Sequence, residues 1–598
     1  MDEPIFNNSS LPDEGELQKL ANQLFNAPVN NNEPGSSGGG RIPASVAGSG
    51  VSPSQIYHPR DFDINDPQTS LPDPHFYKGE IPKSVAGSGR QPSLTDTGGS
   101  TQTNTQHNVS IAKTLPFETE QPFEQELTKL LTEMHASGPS SYMPHVSAFG
   151  YNEQSYYFMG TQNPFTKLHG YFNNSPAPQH TYGFSRYVKP PFNLNLVKAD
   201  FPILKERVNG KKLVWLDNAA TTQKPKQVIN RVSYFYEHEN SNVHRAAHEL
   251  AARSTDAFEA ARKKVQHFLN AGSMNEIVFV RGTTEAINLV AQSWGEQNLN
   301  EGDEIVISHL EHHANIVPWQ LLAAKKGFKI RVIPVDDDGQ IILEEYSKLL
   351  NSKTKLVSFT HVSNALGTVT PAKAMIEMAH AAGAKTLLDG AQSVSHIRID
   401  LQQLNPDFFV FSGHKIFGPT GIGVLYGKEE LLNSMPPWQG GGNMIKDVTF
   451  EHTEFQNAPG KFEAGTGNIA DAVGLGAAID YVNKIGIELI HLYEHGLLMY
   501  GTYLLKQVPG LRLIGTAADK ASVLSFTLEG FTNDAVGREL NKEGIAVRTG
   551  HHCAQPILRR FGVESTVRPS LAFYNSCEDL DALVSVLHRL RNGKTVVH

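Results

Sequence analysis

Asp407-Phe408-Phe409-Val410-Phe411-Ser412-Gly413-His414-Lys415 is a short apolar run that stops at two small residues, a histidine and a lysine. Its length and aromatic, β-branched content predict a buried strand over Asp407–Phe411. Gly418-Pro419 and Gly421-Ile422-Gly423 follow it and predict glycine-rich loops around the lysine. A lysine enclosed in that way is poorly explained as a solvated charge. Desolvation lowers its proton affinity and equips its amine to form a Schiff base. Similar runs at Glu276–Val280, Glu304–Ser308, Lys355–Thr360 and Lys385–Leu388 alternate with helical stretches. That alternation predicts an α/β fold with crossover connections and a mainly parallel sheet. Beyond about Gly474, a helix-rich stretch followed by strands at Ala521–Leu528 and Ile545–Arg548 predicts a smaller α+β domain.

In a parallel sheet, chemistry collects where strands end. Glu276–Val280 runs into Arg281-Gly282-Thr283-Thr284-Glu285, a helix start that reads either as a phosphate cup or as an ordinary cap. Lys385–Leu388 runs into Asp389-Gly390-Ala391-Gln392, whose carboxylate suits a protonated ring nitrogen or a helix cap. With Lys415 closing a strand after Asp389, the acid is placed to serve a pyridinium nitrogen and the lysine to hold an aldehyde, which points to pyridoxal 5'-phosphate. Only two cysteines occur, Cys553 and Cys577, so a disulfide framework is not expected and a reducing cytoplasm is. Cys553 follows Gly550-His551-His552, polar company for an accessible, activatable thiolate. A zinc site from His551, His552 and Cys553 is disfavoured, because adjacent positions rarely converge on one tetrahedral ion, and no metal is expected. Cys577 reads as a structural residue at a helix start.

The stretches Leu216-Asp217-Asn218-Ala219-Ala220, Arg281-Gly282-Thr283-Thr284, Glu311-His312-His313-Ala314-Asn315, His361-Val362-Ser363-Asn364, Asp389–Gln392, Ser412–Lys415, Phe462-Glu463-Ala464-Gly465-Thr466 and Arg548-Thr549-Gly550-His551-His552-Cys553 occur in that order. Through them the chain resembles the group II (Suf-type) cysteine desulfurases of the fold-type I, pyridoxal-phosphate-dependent aminotransferase superfamily, from Ala199 to the C-terminus. The resemblance implies a large cofactor-binding domain over 196–475 with a seven-stranded sheet, and a small domain over 476–598 carrying the nucleophile. It implies a homodimer in which Lys415 holds the cofactor and moves the Cα proton of L-cysteine. Asp389 then pairs with the pyridinium nitrogen, Gln392 contacts the ring hydroxyl and His312 stacks on the ring. Thr283, Thr284, Ser412 and His414 bind phosphate, joined by Thr466 of a second subunit. Asn364 and Arg568 hold the substrate carboxylate, His244 and Arg548 line the pocket, and Cys553 receives the sulfur. Gly467 stands where the family often has Pro, and Val567-Arg568-Pro569-Ser570 where a Cys-Arg-Ala-Ser run is usual. Selenocysteine lyase and cysteine sulfinate desulfinase are the rival activities.

Residues 1–195 have a different texture. They hold 18 Asp and Glu against 11 Lys and Arg, most of the chain's net charge of −9, which argues against a nucleic-acid arm. Neither a secretory leader nor a membrane-spanning run is expected. Runs such as NNNEPGSSGGG (30–40) bury too little apolar surface to offset chain entropy, so disorder is expected here. Ile42-Pro43-Ala44-Ser45-Val46-Ala47-Gly48-Ser49-Gly50 recurs as Ile81-Pro82-Lys83-Ser84-Val85-Ala86-Gly87-Ser88-Gly89. Such an extended motif can add a strand to a partner's edge. Leu17, Leu20, Ala21, Leu24 and Phe25 follow the spacing of an amphipathic helix, and Phe123, Leu127, Leu130, Leu131 and Met134 nearly do. The pattern resembles the cargo desulfurases of family 2 encapsulins, whose N-terminal regions carry the packaging signal. It implies a shell-protein partner, a nanocompartment within the cytoplasm, and sulfur storage or transfer to an acceptor protein or thiol. An unencapsulated iron–sulfur assembly enzyme is the alternative.

Overall fold

β1 (Val214–Trp215) precedes the seven strands of the main sheet: β2 (Ile277–Val280), β3 (Glu304–Ser308), β4 (Lys329–Ile333), β5 (Thr354–Thr360), β6 (Lys385–Asp389), β7 (Phe408–Ser412) and β8 (Gly423–Gly427). This is the arrangement in the computed structural model, which describes residues 188–243 and 248–593. The N-terminal repeats, the two amphipathic stretches and His244 lie outside the described residues. The strand order is β2-β8-β7-β6-β5-β3-β4. All pairs from β4 to β7 are parallel, whereas β8 runs antiparallel to both β7 and β2. Six strands therefore share one direction, and their C-terminal ends open on the same edge. The mainly parallel, seven-stranded sheet is as expected.

Strands β2, β3, β7 and β8 are buried along their whole length. Continuous apolar runs of this kind belong to a sheet covered on both faces. One cover is built from α1 (Lys226–His238), α2 (Glu249–Phe268) and, later in the chain, the helix Ile469–Ile485, which packs on both. That late helix is buried on nearly every side. It crosses α2 at Gly476, where a Cβ would lie 3.2 Å from the Ala261 Cα. The edge strand β4 is instead half exposed and carries Lys329 and Arg331, charges that discourage pairing with another edge.

The smaller sheet combines β9 (Leu511–Leu513), β10 (Phe526–Leu528), β12 (Arg548–Gly550) and β13 (Thr566–Arg568) in the order β9-β10-β13-β12. Two expectations need correction here. The strand anticipated over 521–528 shrinks to β10, because the residues before it tie loops together: Ala521 N–H donates to Gly367 O and Leu524 N–H to Pro569 O. The strand anticipated over 545–548 divides in two. β11 (Ile545–Ala546) pairs in parallel with β1, while β12 pairs antiparallel with β13. One run thus fastens the chain around Val214 to the smaller sheet.

Arg262 on α2 anchors the far edge of the main sheet. Its side chain is 2% exposed, forks onto both oxygens of Glu463 at 2.7 and 2.9 Å, and donates to Ile277 O at 2.7 Å. Glu463 also accepts from Phe279 N at 2.8 Å, so β2 and the loop leading to Thr466 hang on one ion pair. Arg262 also donates to Glu259 at 2.9 and 3.2 Å, so removing Glu463 takes one of two carboxylates from a buried guanidinium. Glu463→Ala is expected to lower unfolding free energy by about 2 kcal/mol, read from denaturant midpoints at constant slope.

Candidate active site

At the shared edge, the strand ends close on a cavity of about 240 Å³. Thr283, Thr284, His312, Asn364, Asp389, Gln392, Ser412, His414, Lys415, Arg548, Cys553 and Arg568 line it, together with Ala219, Ala220 and His552. The structure therefore gathers in one place residues that the sequence spreads over 286 positions, from Thr283 to Arg568. Thr466 is not among the lining residues; it is exposed on a loop. Among the described residues no group of His, Cys, Asp and Glu could hold a metal ion.

Asp389 ends β6 and Lys415 lies three residues beyond β7, its neighbour in the sheet. The turns after both strands depend on glycine. A Cβ on Gly390 would come within 2.0 Å of Phe409 Cζ, and one on Gly413 within 2.8 Å of Ile422 Cγ2. Asp389 is buried and accepts from Ala391 N–H at 2.9 Å. Burial pushes its carboxyl up to about 6, against the pull of that N–H and of the Lys415 charge. Burial likewise brings the Lys415 amine down to about 8, with Asp389 and Cys553 opposing the shift and Arg568 and Arg548 aiding it. Each charge is thus desolvated and partly repaid by the other.

On one flank, α3 (Thr283–Val290) points its N-terminus at the cavity. Thr283 N–H donates to Ser412 Oγ at 2.9 Å, and the two hydroxyls lie 3.0 Å apart. A helix N-terminus beside two hydroxyls and an imidazole makes a site for a phosphate-sized anion. His414 is kept neutral, held down to about 4 by burial and by the charges of Lys415 and Lys224. Gln392 donates from Nε2 to Ala219 O at 2.8 Å, which turns its oxygen the other way. His312 accepts from Ala314 N–H through Nδ1 at 3.0 Å, so its proton sits on Nε2. Burial and the nearby Lys415 hold that ring down to about 3, a neutral aromatic surface at the cavity.

The opposite flank carries the positive charge. Arg548 and Arg568 face each other across β12 and β13, a repulsive register unless something intervenes. Asp217 intervenes, accepting from Arg548 Nε at 3.2 Å and from Arg568 Nη2 at 3.3 Å. Arg568 is 2% exposed, donates to Asn364 O at 2.9 Å, and keeps Nε buried without a hydrogen-bond partner. Burial brings its guanidinium down to about 10, so it stays cationic at neutral pH. Asn364 donates to His552 O at 2.7 Å and leaves Oδ1 unpartnered.

Cys553 is exposed at the cavity mouth. His552 and Cys553 both adopt left-handed backbone, φ 52° and 54°. For residues with a Cβ this costs about 1–2 kcal/mol each, so surrounding contacts must hold the loop. Cys577, by contrast, is buried at the first position of the helix Cys577–Asn592 behind the Ser576 cap. Burial, with Glu578, Asp581 and Asp579, pushes its thiol up to about 12, the structural role expected of it.

Two groups at the site were given no role from sequence. Asp217 is one. Glu311 is the other: fully buried, it accepts from Asn315 Nδ2 at 2.7 Å and Thr360 N–H at 3.0 Å and pairs with Ser308 Oγ. Burial pushes its carboxyl up to about 8.

The sequence pattern of the aminotransferase class-V family matches residues 214–583. A protein of Synechococcus elongatus named cysteine desulfurase is 71% identical over 402 residues, covering 67% of this chain and 64% of its own length. One from Dickeya dadantii with the same name is 50% identical over 400 residues, covering 67% of this chain and 97% of its own. The chain therefore spans somewhat less than two thirds of the first and nearly all of the second. The crystal structure of a cysteine desulfurase from Escherichia coli in an S-sulfonic acid form superposes with a TM-score of 0.63 at 40% identity, covering 67% of this chain and 99% of that one.

The buried Asp389 carboxylate opposes folding wherever it is ionised and the cavity is empty. That penalty begins as pH rises through the ordinary carboxylate range near 4, is complete above about 6, and is absent below both values. Asp389→Asn is expected to make the ligand-free protein about 3 kcal/mol more stable near pH 8 and to leave it unchanged near pH 3, as read by chemical denaturation.

Proposed function

The chain belongs to the class-V aminotransferase family, and from that premise we propose that it is a pyridoxal-phosphate-dependent cysteine desulfurase of the group II type. It converts L-cysteine to L-alanine and carries the sulfur on Cys553 as a persulfide. The observation that carries this reading is that Lys415, Asp389 and Cys553 line one cavity, Asp389 buried, Lys415 half-buried and Cys553 exposed.

The residues present fit pyridoxal 5'-phosphate. Thr283, Thr284, Ser412 and His414 would hold its phosphate, Asp389 its ring nitrogen, Gln392 its ring oxygen and His312 its face. Lys415 would bind its aldehyde carbon through Nζ. When bound, the cofactor supplies an electron sink for the bonds at the substrate's Cα. The protein supplies the rest. Arg568, with Nε free, donates to the substrate carboxylate, and Arg548 reinforces the field. Asn364 commits one of its two amide N–H donors to His552 O and keeps the other and Oδ1 for the substrate. The Lys415 amine, with its proton affinity lowered by burial, takes the Cα proton and returns it. The Cys553 thiolate attacks the substrate sulfur: an S–S bond forms, the Cβ–S bond breaks, and its electron pair stays with the carbon skeleton, which gains a proton and leaves as alanine. Cysteine plus thiol thus balances alanine plus persulfide.

A homodimer forms part of this reading, with Thr466 of each copy completing the phosphate site of the other; its exposure supports that role. The division at about residue 475 into cofactor-binding and small domains, and His244 as a pocket residue, also belong to it. The persulfide is passed to a small acceptor protein or a soluble thiol. Residues 1–195 direct the enzyme into an encapsulin shell in the cytoplasm, where the sulfur is stored. The doubled Ile-Pro-x-Ser-Val-Ala-Gly-Ser-Gly motif and the Leu17–Phe25 pattern support this, since two copies on one tether raise effective concentration at a shell of identical sites.

Cys553→Ser is expected to lower alanine formation from cysteine by at least about 10²-fold while the bound cofactor keeps its visible absorbance. Mass spectrometry of the unmodified enzyme after cysteine should show one added sulfur on Cys553; full alanine production by the variant would sink the assignment. Packaging is tested by co-expression with a family 2 encapsulin shell protein. The full chain should co-purify with the shell and a deletion of residues 1–195 should not, whereas equal recovery of both removes the targeting role.

A further inference from the structure

Two histidines beside the Cys553 loop, His551 and His313, make contacts that the mechanism does not use. His551 Nδ1 accepts the Cys553 main-chain N–H at 3.0 Å. His313, on the turn that carries His312, donates its own N–H to Cys553 O at 2.8 Å. Its Nε2 accepts the N–H of Gln555 at 3.3 Å. The two imidazoles are stacked, with centroids 5.8 Å apart and planes inclined by 30°. The main chain of Cys553 is thus bound on both sides, and the contacts fall on the one loop, among the described residues, where two consecutive residues with a Cβ are left-handed. A loop in that conformation stays there only when its surroundings over-determine it.

We propose that His551 and His313 are positioning residues that clasp the Cys553 loop to the His312 turn, fixing the thiol at the cavity mouth. His551 Nδ1 is occupied by the Cys553 N–H, so that nitrogen does not serve as the base for the thiol. The clasp makes one turn answer for two functions: it presents the His312 ring to the cavity and holds the nucleophile above it. Losing either imidazole leaves the main-chain bond from His313 N–H but frees the loop to leave the left-handed region.

The effect on turnover rests on the desulfurase reading; the effect on the thiol does not. The test is therefore the alkylation rate of Cys553 by iodoacetamide in the cofactor-loaded protein, followed by mass spectrometry, with the buried Cys577 as internal reference. Release of the loop predicts that His551→Ala and His313→Ala speed alkylation by about threefold or more, as accessible conformers gain population. In steady-state assays the same variants should lose about tenfold in kcat for alanine formation with KM nearly unchanged, since a thiol less often over the substrate misses the reactive geometry. His551→Asn places an amide oxygen where Nδ1 stands and should restore both readouts. Slower alkylation in His551→Ala would mark the imidazole as a base and overturn the proposal, as would an Asn variant no better than Ala. If alkylation responds as expected but the wild-type protein forms no alanine from cysteine, the clasp stands and the assigned activity falls.

Discussion

Two opposite charges desolvated where adjacent parallel strands end, buried Asp389 and half-buried Lys415, set the terms for the rest of the site. Neither is stable there alone: burial drives the carboxyl toward its acid form and the amine toward its free base. A parallel sheet solves the placement problem, because it delivers both residues to one edge without either strand having to bend. Gly390 and Gly413, just past the two strands, let the chain turn against Phe409 and Ile422. The remaining lining residues arrive from the same edge or from the smaller sheet.

The smaller sheet meets its own electrostatic conflict. Arg548 and Arg568 stand opposite each other on paired strands, and Asp217 lies between them. The same stretch is secured through β1 and β11, where Leu216 N–H also donates to Ala546 O. The carboxylate therefore arrives already tied to the sheet whose arginines it compensates. One carboxylate against two guanidiniums leaves net positive charge at the cavity, which draws an anionic substrate group toward the thiol. Unsatisfied Arg568 Nε and Asn364 Oδ1 are what such a site looks like before its ligand arrives.

Strands buried on both faces were legible in the sequence because their apolar runs are unbroken, and the chemistry at their ends followed from position. Two strands escaped that logic. β4 alternates charged and apolar residues at the sheet edge. β8 begins and ends in glycine and reads as a loop. The reason is packing, since a Cβ on Gly423 would lie 2.5 Å from the Gly282 Cα of the neighbouring strand's loop. The residues that line the cavity were legible through their ordered motifs, but Asp217 gave no local signal of its contacts. Its arginine partners are 331 and 351 residues away, and only the fold brings them together. The same holds for the contacts between His313 and the Cys553 loop.

Glu311 shows how the buried charges are apportioned. Its carboxyl accepts the N–H of Thr360, and Thr360 is the register partner of Asp389 on the next strand. Two carboxyls in one dry layer cannot both ionise cheaply. Asp389 has Lys415 as a compensating charge, whereas Glu311 has only neutral donors from Ser308, Asn315 and Thr360. The proton therefore rests on Glu311, raised to about 8, and the negative charge on Asp389, raised only to about 6. Glu311 can then bind β3 to β5 as a neutral acid without competing for the cation. Near neutral pH the single anion of the layer sits at the end of β6, opposite the lysine, where a protonated ring nitrogen would need it.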